Sequence, residues 1–277
     1  MGFISRYINR EQSIVFNHIA IDVPQDANFR MHVHDVCEMI YLVSGDISAI
    51  IGEKTYKLPK NSVVFFRANV PHRIRIDSSD EPYERYDIIF DENLLANRIF
   101  FEIPHSIDVI NYTGERRITD LLKRLDYYPQ HFDGKNLQML ITGIVEELLF
   151  NLYLMPKDTI DETLLTVHPL IGDAVSYINA HYAEPITVED ICKQLNITKS
   201  YLHRLFVDEM SISPKKYVNV RRLAKAQRLI RRGGRPSHIY VECGFSEYAT
   251  FFRNYTEYFG YPPSQENHIE IERKIKS

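Results

Sequence analysis

Two groups of residues in this chain carry side chains suited to chemistry. The first lies toward the carboxyl end, where residues 193–235 hold 12 basic residues against only Asp208 and Glu209, a net charge of +10 over 43 residues. Within this stretch a helix opening after Thr198 has Leu202, Leu205 and Phe206 on one side, because residues three or four apart share a helix face. Lys199, Ser200, His203 and Arg204 then face outward. Guanidinium and imidazole donors near a helix N-terminus suit phosphate oxygens and the base edges of a major groove. Lys215 and Arg222, on the next basic helix, are expected to contact the phosphate backbone. The second group is His32 and His34. Two apart in an extended segment, they point to the same side, as a shared ligand requires.

These residues need elements to hold them. Up to about Phe90 the chain reads as short strands: apolar runs at 13–23, 38–43, 47–51, 62–66 and 86–90 are separated by Gly45-Asp46, Gly52-Glu53 and Pro59-Lys60-Asn61. Turns at intervals of about ten residues are the rhythm of an antiparallel sandwich or barrel. After Asn111 the period changes. Ile118, Leu121, Leu122 and Leu125 predict one helix, and Leu137, Leu140, Ile141, Ile144, Val145, Leu148, Leu149 and Leu152 predict a stronger second one. That stripe serves as domain core or, in part, as a dimer seam. Met155-Pro156-Lys157-Asp158 stops the helix, and residues 159–168 read as a linker.

From Pro169 onward the pattern is helix and short turn. Thr187 caps Val188-Glu189-Asp190, with acids in the first turn where the helix dipole favours them. A break at Asn196-Ile197 and a second cap at Thr198 give the length pattern of a helix-turn-helix. Ser213-Pro214 opens a long basic helix, Pro214–Arg231, which ends at Gly233-Gly234. The pattern then recurs: residues 239–243, Gly244-Phe245-Ser246 and residues 247–259 repeat the first unit at an offset of 48 before the turn and 49 after it. Arg253 thereby matches Arg204.

With 44% hydrophobic and 25% charged residues in 277, the chain buries a real core, which excludes disorder as the main description. No stretch approaches the roughly 20 apolar residues of a membrane span, and Met1-Gly2-Phe3-Ile4-Ser5-Arg6 lacks the pattern of a secretory signal. A soluble, cytoplasmic protein is the expectation. Cys37, Cys192 and Cys243 are odd in number and far apart, so they form no disulfide framework or zinc-ribbon spacing. The net charge of −4 conceals −8 over residues 1–169 and +4 over 170–277.

Residues 169–263 resemble the DNA-binding module of the AraC/XylS family of bacterial transcriptional regulators. The resemblance rests on Ile186-Thr187-Val188-Glu189-Asp190-Ile191, Ser200-Tyr201-Leu202-His203-Arg204-Leu205-Phe206, Ser213-Pro214, Tyr217, residues 221–226, Gly244-Phe245-Ser246, Phe251-Phe252-Arg253, Phe259-Gly260 and Pro263. It implies two helix-turn-helix units bridged by the long helix, their second helices entering successive major grooves. By position, Ser200, His203 and Arg204, with Lys199 at the edge, face bases in the first unit; Tyr248, Ala249, Thr250, Phe252 and Arg253 do so in the second. Tyr240, Thr256 and Glu257 depart from the family pattern. The resemblance also implies promoter DNA and RNA polymerase as partners, a homodimer, and activation of transcription.

The first half resembles a cupin, the sensor domain common in that family. His32-Val33-His34, Glu38 and Gly45 have the spacing of the first cupin motif, and Pro71-His72 lies where the second motif supplies its histidine; Pro59-Lys60-Asn61 departs from that motif's Pro-x-Gly. By this resemblance His32, His34, Glu38 and His72 hold a divalent transition metal (zinc, nickel, iron or manganese) or line the pocket of a small-molecule effector such as a sugar or other metabolite. Arg30 and Tyr41 are candidate further contacts, as are Arg67 and Arg73. The expected fold is thus α+β in two domains. Residues 1–158 form a cupin-like ligand-binding and dimerisation domain, with an antiparallel β-barrel at 1–110 and a helical hairpin at 111–158; residues 159–168 are the linker; and residues 169–277 form an all-α double helix-turn-helix. Competing readings are a metal-dependent cupin enzyme, a dioxygenase or isomerase, and a DNA-bound regulator without an effector.

Overall fold

A computed structural model of the chain describes residues 2–9, 14–34, 36–52, 54–91, 108–112, 116–154, 164–165 and 169–268. Among the described residues ten strands form two antiparallel sheets. β1 (Gly2–Asn9), β2 (Ile14–Ile21), β8 (Tyr83–Phe90), β3 (Cys37–Ser44), β6 (Ser62–Phe66) and β9 (Val109–Asn111) make up the larger one, in the order β1-β2-β8-β3-β6-β9; β10 (Leu164–Leu165), β5 (Lys54–Leu58), β4 (Asp46–Ile51) and β7 (His72–Ser78) make up the smaller, in the order β10-β5-β4-β7. β1, β5 and β7 lie outside the apolar runs because basic and polar residues take up at least half of β5 and β7 and break up β1; in β7 Ile74 and Ile76 alternate with Arg73, Arg75 and Asp77.

Strand β3 is buried along most of its length because both faces of its sheet are covered. Ile40 and Leu42 point between the sheets, where Ile47, Ile74, Val64 and Phe66 fill the interior. Cys37, Met39 and Tyr41 point the other way, onto the helical hairpin α1 (Arg116–His131) and α2 (Gly134–Leu154). Leu121, Leu125, Ile141, Val145 and Leu148 are buried against that outer face. The apolar stripe of α2 is therefore spent on the domain core. Met139, Phe150 and Tyr153, eleven and fourteen residues apart and so on one face, remain exposed.

Part of the expected linker is itself structural. Leu164 and Leu165 pair antiparallel with Tyr56 and Thr55, which ties the segment before the helical module to the edge of the smaller sheet. The rest of the linker lies outside the described residues.

The helical module contains α3 (Pro169–His181), α4 (Val188–Leu195), α5 (Lys199–Met210), α6 (Pro214–Arg231), α7 (Pro236–Glu242) and α8 (Tyr248–Phe259). The local chemistry follows the sequence closely. Thr187 and Asp190 form a capping box, and the Thr198 and Ser213 side chains accept from the amides of Tyr201 and Lys216. Asn196 and Gly244, equivalent in the repeat, both take positive φ at a helix end, 54° and 91°. At Gly244 a Cβ would lie 2.7 Å from the Tyr182 carbonyl, so only glycine fits. Helix α6 belongs to two cores: Tyr217 and Val218 pack with Ile191, Leu202 and Phe206 of the first unit, and Leu223, Ala226 and Ile230 with Ile239, Phe251 and Tyr255 of the second. Among the described residues no helix is long and apolar enough to cross a membrane.

Candidate functional site

The two helix faces expected to read DNA are exposed where the periodicity puts them. On α5, Leu202, Phe206 and Met210 are buried while Lys199, Ser200, His203 and Arg204 are exposed. The Arg204 guanidinium lies 5.3 Å from the Tyr201 ring centre, which steadies its outward pose. Lys199 is paired with Glu189 on α4. On α8, Phe251, Tyr255 and Phe259 are buried; Ala249 and Arg253 are exposed, and Tyr248 and Phe252 are 38% and 39% exposed. Two aromatic rings left on the surface beside an arginine give this face apolar contact area for a thymine methyl. Thr250 is half-buried behind them.

Two residues expected to grip phosphate have other surroundings. Arg222 donates from Nε to the Tyr182 carbonyl at 2.7 Å and from Nη2 to the Glu184 carbonyl at 2.8 Å, and lies over the Phe245 ring. It caps the chain leaving α3 and braces the first unit against the turn of the second; burial lowers its pKa. Lys215 lines a cleft of about 520 Å³ between the cupin-like half and the helical module, together with Arg30, His32, Asn254 and Tyr258.

A residue that sequence reasoning missed completes the second unit. Glu266 is buried and accepts from Tyr255 Oη (2.5 Å), Tyr261 Oη (2.9 Å), Arg231 Nε (2.7 Å) and Gln227 Nε2 (3.2 Å). It joins the end of α6 to α8.

In the cupin-like half His32, His34, Glu38 and His72 come together, with one ligand atom of each within 4.8 Å of all the others. Glu38 rises from β3 and His72 opens β7; reciprocal backbone bonds join His32 to His72 at 3.0 and 2.9 Å. The Nε2 atoms of His34, His72 and His32 lie 2.9, 3.2 and 3.9 Å from Glu38 Oε2. Each Nδ1 is in turn held by a backbone carbonyl: that of Val36 for His34, Val70 for His72 and Arg30 for His32. Burial opposes ionisation of Glu38, but the three surrounding imidazoles outweigh it and hold the carboxyl well below its usual range. Burial and the neighbouring His32 drive His72 down to about 4.

Three imidazoles and one carboxylate converging in this way form a donor set that a dication fits. A neutral His72 carries one proton but faces two acceptors, the Val70 carbonyl at Nδ1 and Glu38 at Nε2. With the proton on Nδ1, a lone pair is left aimed at the carboxylate. A cation among the four ligand atoms resolves that contact, and imidazole fixed by a carbonyl at its far nitrogen is the usual outer-shell support of a metal ligand.

Tyr41 is not part of this group. Three residues from Glu38, it lies on the opposite face of β3 and donates to Asn61 Oδ1 at 3.0 Å beneath the helical hairpin. Arg30 contributes its carbonyl, with its side chain on the interdomain cleft. Arg73 is fully buried and paired with Asp26 and Ser211, and Arg67 is half-buried in a shallow pocket beside Asp108. Behind the histidines sit three polar residues not singled out from sequence: Asn17, Arg85 and Asp87, whose register on β2 and β8 turns them to the same interior as Glu38. Burial and then the charge of Glu38 push the Asp87 carboxyl up. A polar residue inside the apolar run 86–90 was the available signal.

Residues 191–267 match a family described as a helix-turn-helix domain and residues 20–89 one described as a cupin domain. Among curated relatives, the chain is 37% identical over 106 residues to a lactose operon transcription activator of Staphylococcus xylosus, a match spanning 38% of each chain. It is 24% identical over 253 residues to the HTH-type transcriptional activator RhaS of Shigella sonnei, covering 83% of this chain and 85% of that one. Among solved structures, ToxT of Vibrio cholerae aligns over 92% of this chain and 97% of its own at 13% identity with a TM-score of 0.38. An AraC-type regulator of Chromobacterium violaceum aligns over 36% and 90% at 30% identity with a TM-score of 0.34. The relatives matched in sequence are transcription activators. With a cupin domain ahead of paired helix-turn-helix units, the chain is a transcription regulator of the AraC/XylS family.

Proposed function

We propose that the chain activates transcription by binding promoter DNA sequence-specifically through both helix-turn-helix units, in response to a small ligand sensed by the cupin domain. The observation that carries this reading is the repeated reading face: two helices, α5 and α8, each with a buried apolar side and an exposed side bearing an arginine at the equivalent position, Arg204 and Arg253. Lys199, Ser200, His203 and Arg204 read the first half-site, and Tyr248, Ala249, Thr250, Phe252 and Arg253 the second. His32, His34, Glu38 and His72 hold a divalent transition metal, whose chemistry there is Lewis-acid charge compensation of the buried carboxylate. The centre serves sensing, and the chain has no enzymatic role. It acts in the cytoplasm as a homodimer through the exposed face of Met139, Phe150 and Tyr153 on α2, and contacts RNA polymerase when bound.

The test is selection of duplexes from a random pool by the full chain, followed by footprinting. The expected result is a site with two protected major-groove segments about 10 base pairs apart, bound at least a thousandfold more tightly than scrambled competitor. Equal affinity for both overturns the reading. Sedimentation of Met139→Glu against the parent chain tests the dimer.

A further inference from the structure

The segment that carries two of the histidine ligands is also the segment on which the DNA-binding module rests. In the extended tripeptide His32-Val33-His34 the two histidines face Glu38, so Val33 faces the other way. Its side chain is buried on Val220 and Ala224 of α6 and on Tyr258. Its amide donates to Tyr258 Oη at 2.8 Å, and Tyr258 belongs to α8, the second reading helix. The His72 segment makes the same connection: Arg221 of α6 donates to the Asn69 carbonyl at 3.1 Å, while the Asn69 amide donates to the His34 carbonyl at 2.7 Å. Beyond the four ligands the barrel interior holds apolar side chains together with the buried polar residues Asn17, Arg85 and Asp87. The ligand cluster is therefore one part of the cupin domain's contact with the reading module, beside Met31 and Ile50, which pack in the first unit's core, and Arg73 and Arg75, which meet Ser211 and Glu209.

We propose that the divalent metal ion is itself the effector, and that it acts through Val33. This rests on the metal-binding reading above. His32 is the loosest ligand, 3.9 Å from Glu38 and 36% exposed on the interdomain cleft. Binding an ion draws His32 toward the other three and fixes the tripeptide as one backbone unit with His72. Fixing it holds Val33 in register with Tyr258, and so holds α8 and α6 against the barrel. That docked arrangement leaves the exposed residues of both reading faces free. Metal thus lowers the cost of ordering the two units before DNA is met, and the coupling is reciprocal: DNA binding tightens metal binding by the same factor.

The test uses the full chain, stripped with a chelator and reloaded in turn with zinc, nickel, manganese or ferrous ion. Bound ion is counted by elemental analysis, hydrogen exchange is followed at the Val33 amide, and affinity is measured for a duplex selected from a random pool. For one of the four ions, the expected results are one ion per chain, at least tenfold slower exchange at Val33, and at least fivefold tighter DNA binding. Tyr258→Phe is expected to bind the ion normally and to keep the DNA affinity of the stripped protein, while its metal response falls below twofold. His34→Ala is expected to lose the ion. If the parent chain takes up none of the four ions, the metal centre itself is refuted and this inference with it. If it takes up an ion but exchange at Val33 and DNA affinity stay unchanged, or if Tyr258→Phe responds like the parent, the centre stands and the wiring is overturned.

Discussion

Removing the Glu266 side chain should disable the second reading unit selectively. The carboxyl is 2% exposed and gathers four donors, with Arg231 as its ionic partner. A hydrogen bond to a charged group contributes about 1.5–3 kcal/mol net, but these four share two oxygens and do not add. The better guide is deletion of a buried charged acceptor, about 3 kcal/mol or somewhat more, because the Tyr255 and Tyr261 hydroxyls are left inside without it. At 1.4 kcal/mol per decade that loss shifts the folding equilibrium of this unit by a factor of about 100 or more. Urea unfolding of Glu266→Ala, followed by circular dichroism, is the assay. With a slope of about 2 kcal/mol per molar for a region of this size, the midpoint should fall by about 2 M. Footprints of the variant should lose the second half-site while keeping the first. A midpoint shift below about 0.5 M, with both half-sites still protected, would refute the claim that Glu266 joins α6 to α8.

Arg204→Ala should cost about 1–3 kcal/mol at its preferred base pair and broaden sequence choice there; equal losses on specific and random duplex would show that Arg204 grips phosphate only. Arg222→Ala should destabilise the module by about 1–2 kcal/mol, chiefly through the part-buried Tyr182 carbonyl it leaves unpaired, while leaving the salt dependence of DNA binding unchanged, and a salt slope flattened by about one would return Arg222 to the phosphate contacts. His18 lies between Asp126 of α1, at 3.0 Å, and Glu84, at 2.9 Å; burial lowers its pKa, but the two carboxylates outweigh this and raise it above 6.5. A raised histidine pKa stabilises fully below pH 6.5, and the contribution disappears as pH rises through the folded-state value. The difference in melting temperature between the parent and His18→Gln should therefore shrink from pH 6 to pH 8, and a constant difference counts against the bracket.

Periodicity was informative wherever a face is either buried or exposed along a whole element. That is why α5 and α6 could be read with their caps, and why the opposed sides of the reading helices could be named residue by residue. Long-range juxtaposition was not accessible in that way. Glu266 lies in a polar stretch past α8, and nothing local says that α6 will place Gln227 and Arg231 around it. Arg222 illustrates the same limit: its charge was visible, but the carbonyls that occupy it belong to the turn 40 residues earlier. Tyr41 was avoidable, since an odd separation from Glu38 in one strand already sets the two on opposite faces. Asp87 was visible as an anomaly without a partner until β8 was known to lie beside β3. Leu164 and Leu165 illustrate the opposite case, a pair of apolar residues too short to signal a strand that acquires one from the edge of a sheet.

Helix α6 contributes to both hydrophobic cores of the reading module along its 18 residues, about 27 Å at 1.5 Å per residue. A rod anchored at both ends works as a ruler, so phasing becomes part of what the protein recognises. Each base pair inserted between half-sites moves the second by about 3.4 Å and turns it by about 34–36° around the duplex. An operator of perfect half-sites spaced five base pairs too far apart presents the second one to the wrong side, and the protein passes it over.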